Sequence, residues 1–190
     1  MQTKIISILA VLAIAFTSLA AQADEYAEAR KVFQDAGESS AFFSNSYAYA
    51  LFPNIGKGGI GIGGAHGSGK VYVGGAHVGN TSMTQLSIGF QLGGQVYSQI
   101  IFLEDKRAFD EFTSGNFEFS AQAAAVAITA AASAQSSTGG GSSAGASGGM
   151  NDASTVSAGY NKGMAVFTVA KGGLMDEAAL AGQKYSYEAK

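Results

Sequence analysis

The chain has 190 residues, none of them cysteine or tryptophan. Without cysteine there is no disulfide framework, no thiolate nucleophile and no thiolate metal ligand. There is one proline, Pro53, and there are two histidines, His66 and His77. A metal site needs a third ligand, and the eleven-residue separation of the two histidines fits no standard ligand spacing. No metal and no other cofactor is expected. Charge is scarce as well: charged residues make up 13% of the chain and the formal net charge is −3. That balance lacks the basic footprint of a nucleic-acid binder. It also argues against purely electrostatic attraction to anionic lipid, so any lipid contact must be apolar or rest on a few local lysines. Catalytic groups are equally thin. No serine sits in an elbow motif, and the histidines have no carboxylate near them in sequence. The expectation is that the protein is not an enzyme.

Long hydrophobic runs are missing except at the start. Lys4 precedes the fifteen-residue apolar stretch Ile5–Leu19, and Ala21-Gln22-Ala23 follows it. A positive end, a short apolar core and a small-x-small site read as a secretory signal peptide rather than a membrane span. No cysteine follows, which excludes a lipoprotein anchor. Cleavage after residue 23 is expected to leave 24–190 as a single periplasmic or secreted domain, long enough for its own core.

Glycine is what the chain has in excess: 27 residues, fourteen of them between Gly56 and Gly94. The chain is organised around Leu51–Tyr72, LFPNIGKGGIGIGGAHGSGKVY. The alternation Gly59-Ile60-Gly61-Ile62-Gly63 has the period of a strand. Glycine weakens a strand unless another backbone or a ligand must come close. Gly67-Ser68-Gly69 reads as a three-residue hairpin loop that pairs His66 with Lys70 and Ile62 with Gly74. Two nucleotide-binding patterns nearly match here. Gly59-x-Gly61-x-x-Gly64 lies inside a strand pattern, whereas the dinucleotide fingerprint opens a helix. Gly64-x-x-x-x-Gly69-Lys70 is followed by Val71, which cannot reach magnesium as a P-loop Ser or Thr does.

Elsewhere, Asp24–Ala36 predicts a helix with Tyr26, Ala29, Phe33 and Ala36 on one face. Ser39–Leu51 predicts a second helix carrying Phe42, Phe43, Tyr47 and Tyr49. Its aromatics either cover a sheet or, as Phe42 and Tyr49 are placed here, offer a face to a membrane. Val78–Thr84 reads as a polar connection. Leu86, Ile88, Phe90 and Leu92 alternate as a half-buried strand, and Gln95–Leu103 continues as a central one. Glu104–Ser114 predicts a helix stopped by Gly115, with Phe109 and Phe112 inward. Glu104, Asp105, Asp110 and Glu111 form a solvated helix face without the asymmetry an acid–base pair needs. Residues 116–127 read as a strand. Ser133–Gly149, made only of Ser, Ala, Gly, Gln and Thr, reads as a flexible loop. Thr155–Tyr160 and Met164–Ala170 form a terminal hairpin around Asn161-Lys162-Gly163, and Asp176–Ala181 a short helix.

The Pro53–Tyr72 segment closely resembles the opening of the SYLF domain, a family of lipid-binding modules. The likeness continues through Leu86–Val96, the acidic helix and Phe112-x-x-Gly115-x-Phe117, and resumes at Tyr160–Met164. It covers about residues 40–190. The alternating segments give an α+β fold: a curved antiparallel sheet or partial barrel of about six or seven strands with N-terminal and central helices packed on it. The resemblance implies a phospholipid or membrane-surface partner; the residues offer no catalytic group. The lysines suited to a lipid phosphate are Lys57, Lys162 and Lys171, point charges on flexible stems beside turn backbone. Eukaryotic members make their lipid contacts largely through a basic N-terminal segment, and here that segment holds only Arg30 and Lys31. The other reading is a structural or protein-partner-binding envelope protein whose helices fill the glycine grooves completely.

Overall fold

The computed structural model describes residues 25–60, 62–88, 94–119, 126–128, 159–171, 180 and 182–190. The expected leader, the 133–149 loop, most of the first arm of the terminal hairpin and most of the 176–181 helix lie outside these residues. Helix α1 spans 25–35. Tyr26, Ala29, Phe33 and, just past its end, Ala36 recur at helical spacing and all are buried, as the 3.6-residue period requires. Two single turns follow, α2 (Gly37–Ser40) and α3 (Phe42–Asn45).

The second helix is shorter than its sequence indicates. The chain leaves α3 at Asn45 and enters strand β1 (Ala48–Ile60). Ala48 and Ala50 face one side of the sheet and Tyr49 and Leu51 the other. This small–large alternation suits a strand packed on both faces. Pairing with a neighbour on each side outweighs the local helical pattern.

Strands β2 (Ile62–Val73), β3 (Ala76–Ile88), β4 (Gln95–Leu103), β5 (Phe117–Glu118), β6 (Val126–Ile128), β7 (Met164–Ala170) and β8 (Gln183–Ala189) complete the described sheet. Its order is β5-β8-β3-β2-β1-β4-β7-β6. Every pairing is antiparallel except the short edge strand β6, which runs parallel to β7. The curved antiparallel sheet expected from the sequence is present, and β4 is central as its apolar run indicates. The supposed connection Val78–Thr84 is instead the body of β3, paired with β2 and β8. Its polar residues are those of a strand with one solvated face.

The predicted hairpin register is wrong in an informative way. Gly67, Ser68 and Gly69 are not a loop: they sit mid-strand in β2, opposite β1. His66 pairs with Gly56 and Lys70 with Leu51. The β1–β2 ribbon runs on to the Ile60–Ile62 pair, and the tight two-residue turn is Gly74-Gly75 between β2 and β3. Both turn glycines have positive φ, +56° and +83°, which matches the right-handed strand twist in a hairpin. Gly67 and Gly69 serve packing. A Cβ on Gly69 would lie 2.6 Å from the Phe52 ring and 2.9 Å from the Leu51 carbonyl, and one on Gly67 2.7 Å from Ile55 Cγ1. The side chains of β1 lean across the inner surface of β2 because the sheet is tightly rolled.

The roll shows in the contacts between distant strands. Four strand spacings separate β8 from β4, about 19 Å along the sheet. Yet Gln99 Nε2 on β4 donates to Tyr185 Oη on β8 at 2.7 Å, and the Phe52 and Tyr185 rings meet edge-on with centroids 5.7 Å apart. The sheet is a half-barrel. Its concave side holds one core, including Phe52, Ile55, Met83, Ile101, Phe112 and Tyr185. Helix α4 (Lys106–Phe112) closes one end of it through Ala108 and Phe112. Asp105 caps α4 by accepting from Ala108 N at 2.8 Å, satisfying one of the unpaired amides of the first turn. The convex side of β1, β4 and β7 carries a second core under α1, α2 and α3.

Candidate functional site

The strand directions give the half-barrel two unlike ends. At the α4 end lie Tyr47, Leu103, α4 and the Asn161–Gly163 turn, where Lys162 (φ +53°) and Gly163 (φ +81°) reverse the chain into β7. The charges here neutralise one another. Lys106 pairs with Asp110 at 2.7 Å, and Arg107 reaches Glu111 at 3.5 Å and Asp105 at 3.8 Å. Of the four carboxylates of this segment, Asp105 caps the helix, Asp110 and Glu111 form an exposed ion-paired helix face, and Glu104 is exposed just before it. Asp110 holds the Lys106 ammonium above its usual pKa, chiefly by hydrogen bonding.

At the other end the β1–β2–β3 ribbon extends beyond its neighbours. β4 begins opposite Lys57 and β8 begins opposite Gln85, while β1, β2 and β3 continue to Ile60, Ile62 and Ile88. Leu86 stands here 80% exposed and Val96 41% exposed. Alternation puts both on the convex face. The residues between them across the ribbon are Gly64, Gly58 and Gly56. A Cβ on Gly56 or Gly58 would meet nothing within 4 Å. Among the described residues no internal packing demands glycine at these two positions, in contrast to Gly67 and Gly69. The result is a strip of bare backbone bordered by two exposed aliphatic side chains.

Lys57 and Lys171 flank the strip. Lys57 pairs with Gln95 and, by alternation, faces the mouth of the concave side. Lys171 follows β7, its amide bonded to the Val96 carbonyl, and its ammonium donates to the neutral Asn54 Oδ1 at 2.8 Å. Among the described residues neither lysine has a carboxylate partner. Lys162 is at the α4 end, nine residues and about 30 Å of extended chain away from Lys171, so the three lysines do not form one site. Phe42 and Tyr49 are only 5% and 6% exposed. Phe42 stacks on Phe102 at 5.4 Å and Tyr49 on Tyr72 at 5.0 Å, so both belong to the convex core. Leu86 and Val96 are the residues the sequence reading missed. Leu86 looked half-buried because its strand alternates, and alternation does not say which face is covered.

The nucleotide-like patterns fall on strands. Gly69 has no free approach, and the Lys70 ammonium lies over the Tyr26 ring, 4.2 Å from its centroid. His66 bonds Thr84, and His77 bonds the Gly79 carbonyl and Asn80. Among the described residues no cluster of His and carboxylate is suited to a metal, and no helix is long and apolar enough to cross a membrane. A cleft of about 340 Å³ opens beside β5 and β8. Much of its polar lining is already engaged: Ser82 bonds Ser186 at 2.7 Å, and Lys184 pairs with Glu118 at 3.6 Å.

Comparison with known proteins gives two matches. The family described as Ysc84, Las17-binding protein actin regulator, matches residues 84–188, more than half of the chain. Beta cell expansion factor A of Aeromonas veronii is 27% identical over 179 residues, covering 93% of this chain and 56% of that protein. The chain thus spans little more than half the length of this curated relative.

Proposed function

This chain belongs to the Ysc84 family, that of the SYLF domain, and from that premise we propose that it is a non-enzymatic module of the cell envelope that docks on phospholipid surfaces through the glycine-paved end of its half-barrel. The observation that carries this reading is the strip Gly56–Gly58–Gly64. Glycine in a strand interior is costly unless something must approach the backbone closely, and among the described residues no atom lies within 4 Å of where a Cβ on Gly56 or Gly58 would sit. Leu86 and Val96 supply apolar contact at its borders, and Lys57 and Lys171 supply unneutralised positive charge beside a bilayer's phosphates. A net negative molecule is thereby given one end that a membrane attracts. Lys4, the Ile5–Leu19 run and Ala21-Gln22-Ala23 support an envelope location, with the mature chain starting at Asp24. N-terminal sequencing of the exported protein checks that start.

Vesicle flotation tests the docking. The mature chain is expected to float with vesicles of mixed anionic and zwitterionic phospholipid. Leu86→Ser combined with Val96→Ser is expected to abolish flotation, and Lys57→Glu combined with Lys171→Glu to weaken it in a salt-dependent way. No flotation with either lipid class, and no lipid in the native mass spectrum, would leave a protein partner as the ligand. The family description, which names Las17 binding and actin regulation, favours that second reading. A protein ligand would keep its affinity in the absence of any bilayer.

A further inference from the structure

The concave core is mostly apolar, with a buried polar cluster on β4, β7 and β8. Gln99, Thr168 and Gln183 are fully buried there, together with the hydroxyl ends of Tyr97 and Tyr185. Most of their hydrogen-bonding capacity is used. Gln99 Nε2 donates to Tyr185 Oη at 2.7 Å and to Gln183 Oε1 at 3.2 Å; Tyr185 Oη donates to Gln183 Oε1 at 2.5 Å; Gln183 Nε2 donates to Tyr97 Oη at 3.4 Å. Two atoms are left over. Gln99 Oε1 and Thr168 Oγ1 have no partner among the described residues.

The two are neighbours. Gln99 on β4 and Thr168 on β7 are directly opposed across the ladder. Both face the concave side, in step with Ile101 and Val166 of that core. Opposed side chains on one face start about 4.5–5.5 Å apart at Cβ. Gln99 Oε1 can only accept, whereas the Thr168 hydroxyl can donate or accept. Burying both unpaired incurs desolvation with no return, and proteins fill such polar spots with ordered molecules. A single atom that donates to Gln99 Oε1 while accepting from the Thr168 hydroxyl is the oxygen of a hydroxyl or a water. A charged group is ruled out by the apolar side chains around the pair, because no opposite charge would compensate it.

We infer that Gln99 Oε1 and Thr168 Oγ1 form a buried socket for one hydroxyl group, either of an ordered water or of a small hydroxyl-bearing molecule held inside the half-barrel. The socket lies inside the half-barrel and shares no residue with the end proposed for membrane docking.

Thr168→Val keeps the side-chain shape and removes the hydroxyl, so its sign is diagnostic. An orphan hydroxyl would be better removed, and the urea midpoint would rise. A hydroxyl that holds a guest is missed, and the midpoint is expected to fall. The fall is expected to vanish when Thr168→Val is made in a Gln99→Met background, because the guest has already lost one anchor. A rise or no change in the native background overturns the socket. A fall that persists undiminished with Gln99→Met also overturns it. A high-resolution crystal structure decides independently should Gln99→Met fail to fold. Density bridging both atoms supports the socket; a protein group filling the place, or a direct Gln99–Thr168 bond, contradicts it. Native mass spectrometry separates the sources. A bare-chain mass assigns water, and a mass increment lost on denaturation and absent in Thr168→Val assigns a hydroxyl-bearing guest.

Discussion

In the β1–β2 ribbon, Gly67 and Gly69 face inward against Ile55 and Phe52, whereas Gly56 and Gly58 face outward, where a Cβ would meet none of the described residues within 4 Å. The inner pair lets two large side chains of β1 lie over the neighbouring strand, which makes the tight roll possible. The outer pair does nothing for the fold: in an open position glycine only adds entropy to the unfolded chain. Residue type alone does not reveal what a glycine is for. What a side chain would strike at that position does.

Four measurements bear on this contrast, from the largest expected effect to the smallest. Gly69→Val puts a branched side chain into the Phe52 ring and the Leu51 carbonyl, and is expected to cost about 3 kcal/mol as overpacking does. Urea denaturation reads it, and an unchanged midpoint would mean the roll is looser than described. The second is pH dependence. Burial pushes the Tyr97 phenol up to about 12, opposed by its hydrogen bond with Gln183, and pushes Tyr185 well above 10. Both shifts are upward, so the folded state binds more protons than the unfolded one in that range. Both contributions are fully present below pH 10; that of Tyr97 is lost as pH rises from 10 through about 12, and that of Tyr185 is lost as pH rises above 10 through its own raised pKa. Tyr97→Phe is expected to reduce that loss by about 2 kcal/mol, at roughly 1.4 kcal/mol per unit, as read from urea midpoints across that range.

Asp105→Ala removes the side-chain cap on the Ala108 amide, and about 1 kcal/mol of stability with it. Thermal denaturation monitored by circular dichroism checks it. Gly56→Ala and Gly58→Ala are expected to leave stability unchanged or raise it by about 0.5 kcal/mol, while reducing vesicle capture. Loss of fold at either position would place both glycine rows in the same class and remove the support for the docking strip.

Much of the architecture was legible in the sequence, because it follows from periodicity. The Tyr26–Ala29–Phe33 face, the apolar run of β4 and the stop at Gly115 (φ +88°) all appear as expected. The hairpin register was not legible. Gly67-Ser68-Gly69 has turn composition, and only the inner packing of Phe52 and Ile55, set by residues far along the chain, shows why those glycines lie mid-strand. The β1 boundary failed for a related reason: Tyr47–Leu51 has helical spacing, but two flanking strands claim its backbone. Of the candidate site residues, Lys57 and Lys171 fall together at one end, while Lys162 falls at the other. Phe42 and Tyr49 enter a core, since strongly aromatic segments are as fit to cover a sheet as to meet a membrane. The exposed Leu86 and Val96 depend on where β4 and β8 begin, which no local pattern records.

The absence of tryptophan allows the central claim to be read with a single reporter. Leu86→Trp places the fluorophore at the glycine-paved end, and Tyr47→Trp places one at the α4 end, where Tyr47 is 39% exposed. On addition of anionic phospholipid vesicles, docking through the glycine-paved end predicts a blue shift and loss of aqueous quenching at position 86, with no change at position 47. No shift at position 86, or a shift at position 47 alone, would contradict it.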